Sequence, residues 1–409
     1  MLNRFRNLLG QPTRIAVLGT PVRDAYLDVE TIAFLEQRLL FHCGGEQFDL
    51  AYQGDAIRFG EKRYARCDLS TLNLAPFTVR NGGGVFHTGT QLARLCAQRR
   101  LPVAMTAVDL VQPWPELEQA YTESGIAHCS LELTAPATNL VLTNGKPDRL
   151  ILKSPDPATP LTTTQAERLR NLLPQRLDLL VVNSLRSTDL ARVVMRHAQQ
   201  MGAVQYSVLT PSLALEARVV LQLQRDRASV CNLSEFVQIA QAFGILCPTQ
   251  EESAPLAAVA EAMMALARFC TTGDLVVTLG ARGCLTADRT TGEIVHVALQ
   301  ESIAPRVQEQ VLAHPERKNG VGDRFFGSFV LAHALIKRGC QNRTAEAARF
   351  ASLEMARQLA PTLTLEGHWV VEQSVAQGFG TQQHRQLPSV QREKTARLPN
   401  WTPSPATLS

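Results

Sequence analysis

The sequence predicts an α/β protein with a central, mostly parallel sheet, helices on both faces and a small β lid over the carboxyl ends of the strands. Two observations carry this expectation. Short apolar runs rich in β-branched residues recur along the chain, and segments of helical spacing separate them, which is the rhythm of βαβ units. One Asn-Gly turn between two β-prone runs interrupts that rhythm, and a hairpin inserted into such a chain forms an edge or a lid. The 409 residues, 45% hydrophobic and 19% charged, suffice to bury a large core without disulfides or metals.

The first strand is Arg14 to Leu18, ending at Gly19. Similar buried-strand runs lie at Leu179 to Val182, Val204 to Leu209 and Leu275 to Leu279. Between them, Thr188 to Gln200 sets Leu190, Val194 and His197 near one helical face. Ser234 to Phe243 opens on a serine suited to capping a helix, and Leu256 to Phe269 is rich in alanine and methionine. The hairpin pairs Leu140–Thr143 with Arg149–Leu152 across Asn144-Gly145-Lys146-Pro147-Asp148. Phe41 to Arg80, with Gly44, Gly45 and Gly54, has short-strand and turn character and is grouped with the hairpin. The expected organisation is one α/β domain over residues 14–375, with lid segments near 38–80 and 138–153. Residues 376–409, rich in Gln, Arg, Pro, Ser and Thr, are expected to form a flexible tail.

Composition removes several function classes. A net charge of +4, from 41 basic and 37 acidic residues, is nearly balanced for this size and gives no reason to expect nucleic acid, whose binders carry a clustered basic patch. Nine scattered cysteines without a C-x-x-C pair support neither a zinc site nor a secreted disulfide framework. No run approaches the roughly 20 apolar residues of a membrane span, and Met1 to Thr13 lacks a long apolar core, so a cytoplasmic protein without membrane contact is expected. There is no Gly-x-Ser-x-Gly elbow, no phosphate-binding Gly-x-x-x-x-Gly-Lys-Ser/Thr loop, and no Gly-x-Gly-x-x-Gly after the first strand. His197, His296 and His333 fall in helical or strand patterns and are read as structural.

The chemistry-bearing feature is Asn319-Gly320-Val321-Gly322-Asp323-Arg324-Phe325-Phe326-Gly327, leading into Ser328 to Lys337. Phe325, Phe329, Ala332 and Ile336 share a helical face. Glycines before a helix leave backbone N–H groups at the positive end of its dipole, which makes an anion site. An aspartate there accepts a hydroxyl proton while the N–H groups hold charge building on a phosphoryl group. The competing reading is a tight turn and a helix capped by Asp323.

The order of further segments resembles the ribokinase-like (PfkB) family of carbohydrate and nucleoside kinases, as a divergent member. Gly320, Val321, Gly322 and Asp323 match its Gly-x-Gly-Asp signature, Thr278 to Gly283 its nucleotide loop, and Asn232 to Glu235 its Asn-x-x-Glu motif. Asp24, five residues after Gly19, matches its substrate aspartate, and Gly82-Gly83-Gly84 its Gly-Gly substrate loop. The resemblance spans roughly Arg14 to Leu359. It implies a ribokinase-like three-layer α/β/α sandwich and transfer of the ATP γ-phosphoryl group to a hydroxyl of a sugar, sugar phosphate or nucleoside. It also implies Asp323 as base, Gly320 to Gly322 as anion hole, and Thr278, Gly280 and Gly283 at the nucleotide. Asn232 and Glu235 would organise Mg²⁺, Glu235 through water, while Asp24, Gly82, Gly83 and His87 hold the acceptor. A homodimer through an exposed lid edge follows as an expectation.

The sequence departs from the family at several places, among them Tyr206 to Pro211, which lacks the acidic and amide residues found after the corresponding strand. Arg317-Lys318-Asn319 replace an Asp-Thr-Thr stretch, Arg324 follows the base where a small residue is usual, and His87 replaces an asparagine of the substrate loop. Arg324 suits either a phosphate or a surface carboxylate, Lys318 a phosphate or solvent, and His87 an acceptor hydroxyl or a packed interior. These departures motivate the alternative of a kinase-like binding or regulatory protein without turnover.

Overall fold

The computed structural model describes residues 12–27, 41–43, 46–48, 64–66, 78–143, 149–153, 162–183, 185, 188–210, 222–223, 225–247, 254–270, 273–336, 342–365 and 369–379. The strands, in chain order, are β1 (Thr13–Gly19), β2 (Val22–Leu27), β3 (Phe41–Cys43), β4 (Glu46–Phe48), β5 (Tyr64–Arg66), β6 (Thr78–Gly82), β7 (Val103–Val111), β8 (Ala127–Thr134) and β9 (Ala137–Thr143). They continue with β10 (Arg149–Lys153), β11 (Leu179–Val182), β12 (Val204–Val208), β13 (Ala228–Asn232), β14 (Asp274–Thr278), β15 (Cys284–Ala287), β16 (Glu293–Leu299) and β17 (Val370–Gln377). The helices are α1 (Gly84–Gln98), α2 (Pro115–Glu123), α3 (Thr163–Leu172), α4 (Thr188–Gln200) and α5 (Leu233–Ala242), then α6 (Leu256–Cys270), α7 (Ala304–Ala313), α8 (Val321–Leu335) and α9 (Arg343–Leu359).

Ten strands form one sheet in the order β17-β16-β15-β14-β13-β12-β11-β1-β7-β8. From β8 to β14 every pairing is parallel, and β15, β16 and β17 add antiparallel strands at one edge. Residue alternation in the strands makes the three layers. Ile15, Val17, Leu179, Val181 and Val276 pack with Leu92 and Leu95 of α1, Phe326 and Phe329 of α8, and Ala348 and Ala351 of α9. The residues between them point the other way. Ala16, Leu18, Leu180 and Val182 meet α3 and α4 through Leu169 and Val194. Leu275 and Val277 meet α5 and α6 through Phe236 and Met263. A period of two in the strands thus buries both faces, as parallel sheets require.

A second sheet of five strands runs β5-β10-β9-β2-β6. The Asn-Gly hairpin is its β9–β10 pair, antiparallel with Leu140 opposite Leu152, while its turn, residues 144–148, lies outside the described residues. The sheet also takes β2, so Asp24 is a lid residue rather than part of the main sheet. Most of the expected lid segment 38–80 lies outside the described residues, as do the end of the expected helix at Lys337 and residues 380–409 of the expected tail. Phe379, placed in that tail from sequence, is fully buried in the cluster around α5 and α6. Val370–Gln377 before it completes the sheet edge, because it supplies hydrogen bonds that β16 would otherwise lack.

Chain order changes direction at β1. β7 and β8 lie on one side of it and β11 to β14 on the other, so β1 and β11 flank the topological switch point. In open α/β sheets the crevice at the carboxyl ends of such strands is where ligands bind.

One buried acid lies near the opposite, amino ends of β12 and β13. Asp226 Oδ1 accepts from Gln205 Nε2 at 2.6 Å and Ser207 Oγ at 2.9 Å, and Oδ2 accepts from Ser229 Oγ at 2.7 Å. Burial pushes its carboxyl up to about 7, although the three hydrogen bonds pull the other way. An unfolded aspartate titrates near about 3.9. Between those values the folded chain keeps a proton that the unfolded chain has released, so this group's stabilisation is lost as pH rises from about 4 to about 7. Asp226→Asn is therefore expected to raise the thermal midpoint above wild type at pH 8. The difference should shrink toward pH 4, as followed by circular dichroism melts across that range.

Candidate active site

Helix α8 opens on Gly320, whose φ of 67° is left-handed, and no side chain caps the helix. A Cβ at Gly320 would come within 2.5 Å of His87 Cγ, so the imidazole of His87 occupies the space that a side chain there would need. The first intrahelical bond runs from Arg324 N–H to Gly320 O at 2.9 Å. The N–H groups of Gly320, Val321 and Gly322 therefore stand outside the helix's own ladder at its positive end. A Cβ at Gly322 would meet nothing within 4 Å, so these donors border open room. Asp323 is the third helical residue, not the cap, and the helix begins at Val321 rather than near Ser328.

A second helix arrives at the same place. α1 has Gly83 as its N-cap, with φ 87° and no side-chain cap. A Cβ on the next residue, Gly84, would lie 3.1 Å from Asp323 Oδ1 and 3.0 Å from Asn183 Oδ1. Thr88, fully buried one turn into α1, has its Oγ1 at 3.0 Å from Asp323 O and 3.1 Å from Asn183 Oδ1. Asn183 directly follows β11, donates its N–H to Leu18 O at 2.7 Å and abuts Gly19 at the end of β1. Asp323 thus stands at the switch point, between two uncapped helix N-termini. Asn183 is 1% exposed and its Nδ2 has no hydrogen-bond partner. The single Thr88 proton cannot serve both acceptors. With the carboxamide turned over, Nδ2 donates to Thr88 Oγ1 and Thr88 donates to Asp323 O.

The lid supplies the second acid. Asp24 is 5% exposed on β2. Its Oδ1 accepts from Asn139 Nδ2 at 2.9 Å and its Oδ2 from Asn319 Nδ2 at 3.0 Å. Asn319 immediately precedes Gly320, so this bond ties the lid carboxylate to the start of α8. Gly82 is required beside it, because a Cβ there would lie 2.6 Å from Asp24 Cγ and overlap Oδ2.

The remaining expected residues gather at the ends of β13 and β14. Asn232 and Glu235 form a reciprocal capping box on α5. Asn232 Oδ1 accepts from Glu235 N–H at 2.8 Å, and Glu235 Oε2 accepts from Asn232 N–H at 2.9 Å. The N-cap is therefore Asn232, not Ser234, since a carboxamide with glutamate three residues on satisfies two orphan donors together. Thr278 is level with Asn232 in the parallel β13–β14 pair. Gly280 and Gly283 bound a short turn closed by Leu279 N–H on Gly283 O at 2.7 Å. Arg282 in that turn donates to Ala254 O, and its own carbonyl contacts His296 Nε2 at 2.7 Å, which accounts for His296 structurally.

Two sets of residues result. Asp24, Gly82, Gly83, His87 and Gly320 to Asp323 come together around the switch point, and Asn232, Glu235, Thr278, Gly280 and Gly283 line neighbouring strand ends. Thr88, Asn139 and Asn183 join the first set without having been singled out from sequence. Asn183 carried a usable signal, a polar residue directly after a fully buried strand. Arg317, at the departure before the motif, donates to Leu359 O. Arg324 makes no ion pair among the described residues. Among those residues no group of three His, Cys, Asp or Glu side chains could hold a metal, and no helix is long and apolar enough to cross a membrane. A single carboxylate, Glu235, engaged in a cap, fits a Mg²⁺ ion held mainly by phosphates and water rather than by a protein cage. The open room at Gly322 fits a phosphate.

No family model matches the sequence, and no curated protein matches it. Solved structures do. A ribokinase from Giardia lamblia is similar with a TM-score of 0.56 at 16% identity, covering 84% of this chain and 92% of that one. A ribokinase from Thermotoga maritima gives 0.53 at 14% identity, covering 84% and 93%. Phosphofructokinase-2 from Escherichia coli, determined with substrates and products, gives 0.52 at 15%, covering 84% and 92%. The fold is the ribokinase-like α/β fold with a small separate sheet.

Gly82→Ala is expected to lower stability by about 1–3 kcal/mol, since the added methyl group must displace the Asp24 carboxylate or the lid strand. The midpoint of urea denaturation measures this, and an unchanged midpoint would mean that the Asp24–Gly82 contact is not close.

Proposed function

On this fold, we propose that the chain is a kinase that transfers the γ-phosphoryl group of ATP to a hydroxyl of a sugar, sugar phosphate or nucleoside. One observation supports it above the others. A carboxylate stands at the switch point between two uncapped, glycine-led helix N-termini, and a second buried carboxylate is hydrogen-bonded to the residue that begins one of those helices.

In this reading Asp24, oriented by Asn139 and Asn319, accepts hydrogen bonds from acceptor hydroxyls. Asp323 takes the proton of the attacking hydroxyl as its oxygen bonds to phosphorus and the bond to the ADP oxygen breaks. The N–H groups of Gly320, Val321 and Gly322 hold the charge on the phosphoryl oxygens without reorganising, because the helix fixes their directions. Thr278, Gly280 and Gly283 shape the nucleotide side. Asn232 and Glu235 would hold a Mg²⁺ ion, Glu235 through water, and that ion would supply neutralisation of phosphate charge. Positioning and electrostatics supply the rate enhancement.

A second reading has one observation in its favour. The His87 ring, where the family has an asparagine, packs against Gly320 at the start of α8. That favours a kinase-like binding protein without turnover, one that binds acceptors and releases no ADP.

The discriminating measurement is ADP release from MgATP over a panel of sugars, sugar phosphates and nucleosides. Acceptor-dependent release is expected, and its absence with every acceptor in a protein that still binds panel members would favour the second reading. Asp323→Asn should keep nucleotide affinity and lower kcat by roughly 10²-fold or more, as loss of a general base does. Asp24→Asn should act mainly on KM for the acceptor, raising it about tenfold, the scale of one charge-assisted hydrogen bond. A kcat that survives Asp323→Asn would remove the base assignment.

A further inference from the structure

A cleft of about 620 Å³ opens on the outer side of α1, lined by Thr90, Gln91, Arg94, Arg324 and Gln358 among others. Two guanidinium groups share it. Arg94 is held by its neighbours. Its Nε donates to Gln91 Oε1 at 3.3 Å and its Nη2 to Glu354 Oε2 at 3.0 Å. Gln91 is fixed in turn, donating to Ser328 Oγ at 2.8 Å and accepting from Gln358 Nε2 at 3.0 Å. Among the described residues this leaves Nη1 of Arg94 uncommitted on a positioned side chain.

Arg324 has no such partner. Among the described residues its guanidinium makes no hydrogen bond or ion pair, although the residue is largely shielded from solvent. Burial lowers its pKa, Asp323 and Tyr26 act against that, and the positive charge of Arg94 lowers it further. Two cations that repel one another across a cleft, one of them without an anion of its own, are an incomplete arrangement. A bound anion would complete it, because an arginine fork matches the oxygens of a phosphate or carboxylate.

We propose that this cleft binds a phosphorylated small molecule of about sugar-phosphate size, its phosphate between Arg94 and Arg324. The volume exceeds what a phosphate alone fills, and the hydroxyl and amide groups of Thr90, Ser124 and Gln358 along the walls suit a polyol. Glu123, also on the wall, disfavours a ligand carrying negative charge at both ends. The cleft shares no lining residue with the acceptor site around Asp24, and its failure would leave the phosphotransfer reading untouched.

The test is calorimetric titration of the intact protein with inorganic phosphate, a hexose phosphate and the corresponding free hexose. Saturating non-hydrolysable ATP analogue fills the nucleotide side, and Asp24→Asn in the background weakens acceptor binding in the catalytic cleft. Both phosphates are expected to bind and the free hexose not. Arg94→Gln, whose side-chain partners are Gln91 and Glu354, and Arg324→Gln should each weaken binding about tenfold or more, with circular dichroism unchanged. Because Arg324 adjoins Asp323, the Arg94→Gln result decides. Equal affinity in Arg94→Gln, or hexose binding as tightly as its phosphate, would overturn the proposal.

Discussion

Close approach of side chains to backbone governs the carboxyl end of the sheet, and it exists only where side chains are missing. Gly82 admits the Asp24 carboxylate, Gly84 admits Asp323 and Asn183, and Gly320 admits the His87 ring. A side chain at Gly82 or Gly320 would displace the Asp24 carboxylate or the His87 ring, and one at Gly84 would press Asn183 and Asp323 outward by a few tenths of an ångström. The helix N-termini, the strand ends and the lid converge because three backbone segments can come nearer to functional groups than a Cβ allows.

The core keeps that cluster in place from behind. α8 is buried along Phe325, Phe326 and Phe329, and ends its buried stretch at His333. His333 sits in a closed polar chain, with Nε2 at 2.9 Å from Asp274 Oδ2 and Nδ1 at 3.0 Å from Tyr206 OH. Burial lowers the pKa of His333, and hydrogen bonds from His333 and backbone hold Asp274 low despite its own burial. A neutral imidazole donating to Asp274 and accepting from Tyr206 satisfies every member. Arg343 of α9 donates to His333 O, so the two helices are tied where α8 ends. The helix that presents Asp323 is thereby pinned to β12, β14 and α9 at its far end.

Much of the fold was legible in the sequence because its strands are buried on both faces. Leu179–Val182 and Thr188–Gln200 stand where their apolar patterns set them. Motif order also brought Asp24, Gly82, Gly83, His87 and Asp323 into one neighbourhood. What escaped was local or relational. Asn232, not Ser234, caps α5, because a capping box depends on two side chains agreeing rather than on one good residue. The helix around Asp323 starts at Val321, since glycine lowers helical propensity without preventing a first turn whose N–H groups need no partners. Asn139, Asn183 and Thr88 have no pattern of their own, and their positions follow from which strands become neighbours. Phe379 lies beyond a composition shift, yet one aromatic residue suffices to hold a strand end in the core.

The overlap between His87 and the space above Gly320 makes these positions exchange partners in volume. Sequence drift at one is constrained by the other, although they lie more than two hundred residues apart. A smaller residue at 87 would vacate the room over the start of α8, yet position 320 would still favour glycine because of its left-handed backbone. The coupling therefore runs one way. A smaller residue at 87 leaves a cavity in a buried place, whereas a side chain at 320 has no place at all, so the width over this helix start is set from α1.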